Sequence, residues 1–246
     1  MTQVRAFYWN CWDLPRIATD HKMNSFERAK IEAQYIVGYD IVVLNEVWSP
    51  IAKEVLSKQY PYSCKTPKLS QKLYDSGLLI LSKYPMSNVI YHLYSDSADW
   101  DWFTSKGILG CDITIEGKVV RILTSHMQAG NTVLDGKVRL TQSIELIRFL
   151  CEMKSSPNVF FIGDINMQPT SNLTNPSDDD IIREGCLDMI IKNIGMADVM
   201  YTKGGLYHLF TTHAGDITYT FHPSPVNPET NTKVSDGDYI VWGFTL

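Results

Sequence analysis

The amino-acid sequence predicts an α/β protein of layered sheets and helices, and two observations carry that expectation. Short apolar runs of strand length alternate with stretches of helical periodicity through the first two thirds of the chain. Both helical and hairpin connections join those runs, so the sheet they build is mixed rather than purely parallel.

In chain order, Val4-Arg5-Ala6-Phe7-Tyr8-Trp9 reads as the first strand. Phe26, Ala29, Ala33, Ile36 and Val37 then recur at helical spacing, and Asn24 with Glu27 three residues on forms a capping box. Ile41-Val42-Val43-Leu44 and Leu78-Leu79-Ile80-Leu81 read as strands buried on both faces. The pair 113–116 and 119–121, joined by Gly117-Lys118, is the clearest hairpin, and its second arm continues to Leu123. Leu140, Ile144, Ile147 and Cys151 mark a second helix that closes at Ser155-Ser156-Pro157. Val159-Phe160-Phe161-Ile162 is a further buried strand. Beyond Pro169 small and polar residues dominate 170–180 and 202–232, and Asp178-Asp179-Asp180 reads as a solvated helix start. No repeat or composition shift marks a second domain, so residues 1–246 read as one domain.

With 246 residues, 44% hydrophobic and 20% charged, the chain can bury a sizeable core, which excludes disordered, collagen-like and stapled-miniprotein classes. Lys and Arg total 22 against 27 Asp and Glu, a net charge of −5, so the chain has no blanket attraction for phosphate backbones. That balance disfavours nucleic acid as a partner and leaves a local phosphate site open. Five dispersed cysteines without a Cys-x-x-Cys pair read as reduced thiols rather than a disulfide framework or zinc site. Met1-Thr2-Gln3 runs straight into the first strand without a secretory leader, and no eighteen apolar residues run together. These features predict a cytoplasmic location.

One pattern links separate strands. Each of four apolar runs is followed by side chains able to bind metal or phosphate: Asn10, Glu46, His126, then Asp164 and Asn166. The carboxyl ends of strands in α/β sheets are where several chain segments deliver side chains to one edge. Mg²⁺ asks for one or two carboxylates plus water and substrate phosphate, which Glu46 and Asp164 can answer. Asn10, Asn166 and His126 would supply the phosphate contacts. Singly, Asn10 is also a good turn former, and a lone histidine is more often structural. Carboxylates behind Ile-Val-Val-Leu and Phe-Phe-Ile-Gly are costly to bury unless something pairs with them.

The wording of these segments adds a resemblance. Asn10-Cys11-Trp12, Leu44-Asn45-Glu46-Val47-Trp48, Ser76-Gly77-Leu78, Ser82-Lys83-Tyr84-Pro85, Lys106-Gly107, Thr124-Ser125-His126-Met127-Gln128-Ala129 and Gly163-Asp164-Ile165-Asn166-Met167-Gln168-Pro169 occur in one order. The series resembles the endonuclease/exonuclease/phosphatase superfamily and, within it, is most similar to the neutral sphingomyelinase branch, which also carries a Gln where Gln142 stands. The match covers residues 4–170 well and the remainder poorly. It implies a four-layer sandwich of two mixed β-sheets flanked by helices, and Mg²⁺-dependent hydrolysis of a phosphodiester. By matching position, Glu46 would hold the metal with Asn10 beside it, Asp164 would orient or activate the attacking water, and Asn166 and His126 would hold phosphoryl oxygens. A phospholipid headgroup is the implied substrate, and the aromatic stretch Trp100-Asp101-Trp102-Phe103 reads either as a peripheral membrane contact or as a packed hairpin tip. A nuclease of the same superfamily is the alternative.

The pattern breaks near the end of the sequence, where the resemblance implies a Ser-Asp-His motif whose His serves acid/base catalysis. Two registers fit. In the favoured one, Asp238-Tyr239-Ile240 is the family's Asp-Tyr strand, Tyr219-Thr220-Phe221 supports it, and the last core strand is lacking. In the other, Ser235-Asp236-Gly237 is the final motif with Gly in place of His. Asp236 and Asp238 are thus alternative site residues. His208, His213 and His222 read as loop histidines unsuited to replace the missing one. A truncation, a divergent mechanism and a catalytically impaired binding homologue all fit this ending.

Overall fold

The computed structural model of the chain describes residues 1–14, 23–69, 71–156, 158–201, 205–227 and 231–246. The strands are β1 (Gln3–Asn10), β2 (Ile41–Asn45), β3 (Tyr62–Lys65), β4 (Leu79–Ser82), β5 (Met86–Leu93), β6 (Gly107–Ile115), β7 (Lys118–Ser125), β8 (Val159–Asp164), β9 (Ala197–Asp198), β10 (Tyr207–Thr211), β11 (Ile217–His222), β12 (Val226–Asn227), β13 (Thr232–Lys233) and β14 (Tyr239–Thr245). The helices are α1 (Ser25–Ile36), α2 (Pro50–Ser57), α3 (Val133–Met153) and α4 (Asp178–Ile194). Among the described residues, one six-stranded sheet has the order β11-β14-β1-β2-β4-β3 and the other β5-β6-β7-β8-β10-β9, with β12 and β13 forming a small ribbon. Both large sheets are mixed, because β1 and β2 run parallel, as do β7 and β8, while their other pairs are antiparallel.

Side-chain alternation along these strands creates the layers. Tyr8 of β1, Leu109 of β6, Ile162 of β8 and Trp242 of β14 meet between the sheets. The opposite face of β1, with Phe7 and Trp9, packs on Ala29, Ala33 and Ile36 of α1 and on Ala52 and Leu56 of α2. Phe161 of β8 packs outward on Leu146 and Leu150 of α3 and on Leu187 and Ile190 of α4. Each sheet is therefore covered on both faces, which is why its central strands read as continuous apolar runs. The architecture is the expected four-layer sandwich.

Three local expectations are corrected. The hairpin turns on Glu116-Gly117 rather than Gly117-Lys118, since Ile115 pairs with Lys118 and both turn residues have positive φ (48° and 78°), the conformation of a tight hairpin loop. The second helix buries Val138, Arg139, Gln142, Ser143, Leu146 and Leu150, leaving Leu140 and Ile144 exposed. Its buried face is partly polar because it supports the loop behind β7: Arg139 donates to the carbonyl of Gly130 (2.8 Å), and Gln142 accepts from the Gln128 amide (2.8 Å). The acidic run does start α4 with a Ser177–Asp180 capping box, but Asp179 is paired with Arg139 and Arg183 at 2.5 Å each rather than solvated. Of the expected closing sequence of the second helix, Pro157 lies outside the described residues, as do 202–204 and 228–230 of the polar 202–232 stretch.

The first helix has the expected capping box, and its buried face includes Arg28 and Glu32 beside Ala29, Ala33 and Ile36, while Phe26 and Val37 stay exposed. Neither Glu32 carboxyl oxygen has a hydrogen-bond partner among the described residues, and burial pushes its pKa from 4.5 up to about 8 against the pull of Arg28. The folded state therefore keeps a proton there that the unfolded state has released, so stability falls as pH rises between 4.5 and 8. Glu32→Gln removes this dependence. From pH 6 to pH 7.5 the original protein should lose about 2 kcal/mol relative to the variant, at about 1.4 kcal/mol per pH unit. Urea denaturation at the two pH values measures it, and parallel behaviour of both proteins would mean that the carboxyl ionises freely.

Candidate active site

The four strand ends meet at one edge of the sandwich. Asn10 is paired with Asn45 across β1 and β2, and His126 with Asp164 just beyond β7 and at the end of β8. The sheets are tied together there by Asn45, whose Nδ2 donates to the Ser125 carbonyl (2.8 Å) and whose Oδ1 accepts from Thr124 (3.0 Å). A cavity of about 710 Å³ opens at this edge, lined by Asn10, Glu46, His126, Asp164 and Asn166. Trp12, Trp48, Trp100, Tyr207, Asp236 and Gly237 complete much of its wall.

Backbone conformation aims these side chains. Trp12, Glu46 and Asn166 have φ of 49°, 57° and 54°, the left-handed region that costs non-glycine residues about 1–3 kcal/mol each. All three line the cavity, where the chain turns sharply out of β1, β2 and β8 and into the cleft.

One amide links the two central carboxylates. Asn10 Nδ2 donates to Glu46 Oε1 (2.8 Å) and Asp164 Oδ2 (3.1 Å), while its Oδ1 accepts from the Trp12 amide (3.1 Å). Trp48 Nε1 donates to the other Glu46 oxygen (3.3 Å), and Asp164 Oδ1 accepts from the Asn166 amide (3.0 Å). Asn166 is itself anchored through Nδ2 to the Met127 carbonyl (3.1 Å), which also accepts from Lys106 Nζ (2.7 Å). His126 Nε2 lies 3.6 Å from Glu46 Oε1, and its buried Nδ1 has no hydrogen-bond partner among the described residues. Every residue singled out at the four strand ends is thus in one constellation.

The electrostatics suit a cation. Burial raises Glu46 from 4.5 to about 7 and Asp164 from 3.8 to about 6, with Asp236 raising both further. Hydrogen bonding by Asn10 and the charge of Lys106 offset only part of this. Burial, then Lys106, holds His126 well below its ordinary value, so it stays a neutral imidazole. Among the described residues no group of three or more His, Cys, Asp or Glu forms a metal cage. Mg²⁺ does not require one, since it keeps waters and takes one or two carboxylates with substrate phosphate, and the crowded carboxylates fit that demand.

The last segment brings Asp236, and not Asp238, to the cavity. Ser235 Oγ donates to the Asn10 carbonyl (2.6 Å), Trp9 Nε1 donates to the Gly237 carbonyl (3.1 Å), and Asp236 and Gly237 line the cavity. Asp238 instead accepts from the Ser224 amide (3.3 Å) and is not part of the lining. β14 follows at once and lies between β11 and β1, hydrogen-bonded on both sides. The physical reason is register. Tyr239 opposite Trp9 puts Ile240, Trp242 and Phe244 into the core between the sheets, and a one-residue slip would turn all three outward. Gly237 therefore stands beside Asp236 at the cavity wall.

Of the three histidines read as loop residues, His208 lies in β10 and His222 at the end of β11, while His213 is on the loop between those strands as expected. His208 is buried in β10 between Asp198 Oδ2 (2.8 Å) and the Met167 carbonyl (3.0 Å). His213 packs on Phe160 and Phe244, and His222 stacks on Tyr239. None of the three lines the cavity. Tyr207 was not foreseen: it opens β10 after a polar stretch that carries no periodic signal, and only its pairing with Asp164 brings it to the site.

No family model matches the chain. It is 28% identical over 187 residues to a putative neutral sphingomyelinase of Drosophila melanogaster, an alignment covering 69% of this chain and 40% of that protein. It is 27% identical over 202 residues to a phospholipase C of Staphylococcus aureus, covering 72% and 57%. The chain spans about two fifths of the length of the curated animal relatives it matches. Among solved structures, a double mutant of beta toxin from Staphylococcus aureus with bound magnesium ions superposes at a TM-score of 0.76 with 20% identity, covering 100% of both chains. That likeness bears on the fold, and the aligned sequences bear on the relationship. Together they identify an endonuclease/exonuclease/phosphatase-like fold related to the neutral sphingomyelinases and phospholipase C homologues.

Proposed function

We propose that the chain is a Mg²⁺-dependent phosphodiester hydrolase acting on a phospholipid headgroup. The observation that carries this reading is the Glu46–Asn10–Asp164 bridge at the floor of an aromatic-walled cavity. Glu46, with Asn10 beside it, would hold magnesium, which supplies charge neutralisation to a phosphoryl group when bound. Asp164 takes the proton of the attacking water, being the central carboxylate whose oxygens are oriented by two donors. Asn166 and the neutral His126 hold phosphoryl oxygens as fixed donors, which requires no reorganisation as charge develops. Hydrolase chemistry of this superfamily is also what the sphingomyelinase and phospholipase C relationships support.

The test is an assay of the purified chain with Mg²⁺ against sphingomyelin vesicles, abasic DNA and bis-p-nitrophenyl phosphate. Cleavage of vesicles and the soluble diester is expected. Cleavage of DNA but not lipid would reject the lipid substrate in favour of a nuclease. Gly237, with no side chain where the family's histidine is implied, favours a catalytically impaired binding homologue as the second reading, and a folded chain without turnover on any substrate would select it.

The aromatic stretch supports contact with a lipid surface. Asp99–Phe103 is a 3₁₀ helix that leaves Trp100 79% and Trp102 57% exposed, and Trp100 also lines the cavity. Indole rings settle at the headgroup level of bilayers. Trp102→Ala should lower activity on vesicles about tenfold, the loss of about 1.4 kcal/mol of interfacial burial, and spare the soluble diester. Equal activity on both would remove the membrane role. The five free cysteines support a reducing, cytoplasmic setting, with the chain peripheral at a membrane.

A further inference from the structure

Gly237 and Tyr207 compete for one space. A methyl group placed on Gly237 would collide with the Tyr207 hydroxyl oxygen and lie 3.3 Å from the ring carbon that bears it. Gly237 does not have a positive φ, so the backbone does not require glycine there, and the tyrosine does. Tyr207 is not free to move aside. It is paired with Asp164 across β10 and β8, and its ring packs edge-on against the buried Tyr8 at 5.4 Å. Its residue lines the cavity together with Asp164, Asp236 and Glu46.

We propose that the Tyr207 hydroxyl occupies the place of a side chain at position 237 and donates a hydrogen bond to the phosphoryl group bound in the cavity. The donor role rests on the phosphodiester reading, whereas the shared space does not. A phenol has an ordinary pKa of about 10, so at neutral pH it carries the proton needed to donate. No bond is made or broken by the tyrosine: it contributes a fixed dipole toward oxygens that gain charge, as an oxyanion donor does. A small residue at 237 and a tyrosine at 207 are then one solution rather than a loss at one position.

The test uses Tyr207→Phe, Gly237→Ala and their combination in the full chain. In the melting arm, Gly237→Ala should lower Tm by several degrees in the original background and by clearly less in the Tyr207→Phe background, because removing the hydroxyl clears the collision. Equal losses in both backgrounds overturn the shared space. In the functional arm, Tyr207→Phe should fold normally and lose about a hundredfold in kcat/KM on bis-p-nitrophenyl phosphate with Mg²⁺. Undiminished turnover overturns the donor role. Should the original chain turn over nothing, calorimetry with inorganic phosphate and Mg²⁺ reads the same contact: about tenfold weaker binding by Tyr207→Phe supports it, and equal affinity overturns it. An original chain that neither cleaves diesters nor binds phosphate overturns the donor role together with the phosphodiester reading, and the melting arm still decides the shared space.

Discussion

Asp164→Asn is expected to lower Mg²⁺-supported turnover of bis-p-nitrophenyl phosphate by about a thousandfold, the middle of the range for a positioned base. The substitution is nearly isosteric, so the fold should persist with Tm changed by only a few degrees. What changes is the donor balance. Asp164 accepts from the Asn166 amide on one oxygen and from Asn10 Nδ2 on the other. An asparagine has one acceptor oxygen and an amide that must face one of those donors, so either Asn166 or Asn10 loses its anchor. The effect should appear in kcat rather than in KM, because charge at this position acts chiefly in the transition state. Steady-state kinetics on the soluble diester measure it, and a variant that keeps more than a tenth of the activity would place the base elsewhere.

The largest stability effect is expected at Arg28. Its guanidinium is buried on α1, donates to the carbonyls of Cys11 and Trp12 (2.7 Å to the latter), and lies 3.9 Å from Asp13. Arg28→Met keeps the volume and removes the donors. It leaves two carbonyls and a buried carboxyl without their cation, a change that costs about 3–5 kcal/mol. Burial already raises Asp13 above its ordinary value, and Arg28 is among the groups that hold it down. The carbonyls belong to the segment that carries Trp12 to the cavity wall, so activity should fall together with stability. Urea denaturation measures the loss, and a cost under about 1 kcal/mol would mean that water replaces the guanidinium.

Local pattern carried the reading furthest where local physics decides. The strands leading to Asn10, Glu46 and Asp164 were legible because their buried apolar runs end abruptly in a polar residue, whereas β7 leaves Val119 exposed and carries Arg121 among its apolar residues. The capping box of α1 was legible because Asn24 and Glu27 satisfy each other within one turn. The buried face of α3 was not, since Arg139 and Gln142 are buried for the partners they find in the loop behind β7 and across the domain. Periodicity alone preferred Leu140 and Ile144, which remain exposed. The register at the end of the sequence was likewise open, because Asp236 and Asp238 both follow plausible motifs and only pairing with β1 tells them apart.

The sequence by itself determined a layered α/β fold with a mixed sheet and the identity of five polar side chains at strand ends, because strand periodicity and sharp polar termination act over a few residues. The sandwich of two sheets was implied by the family resemblance. The tertiary structure alone decided that Asn10 bridges Glu46 and Asp164, that Asp236 rather than Asp238 reaches the cavity, and that Tyr207 meets Gly237. Those relations join segments far apart in the chain, and they are set by the registers of β1 with β14 and β8 with β10. A single-residue slip in either would present a different set of side chains to the same edge, which is why no local pattern could have announced them.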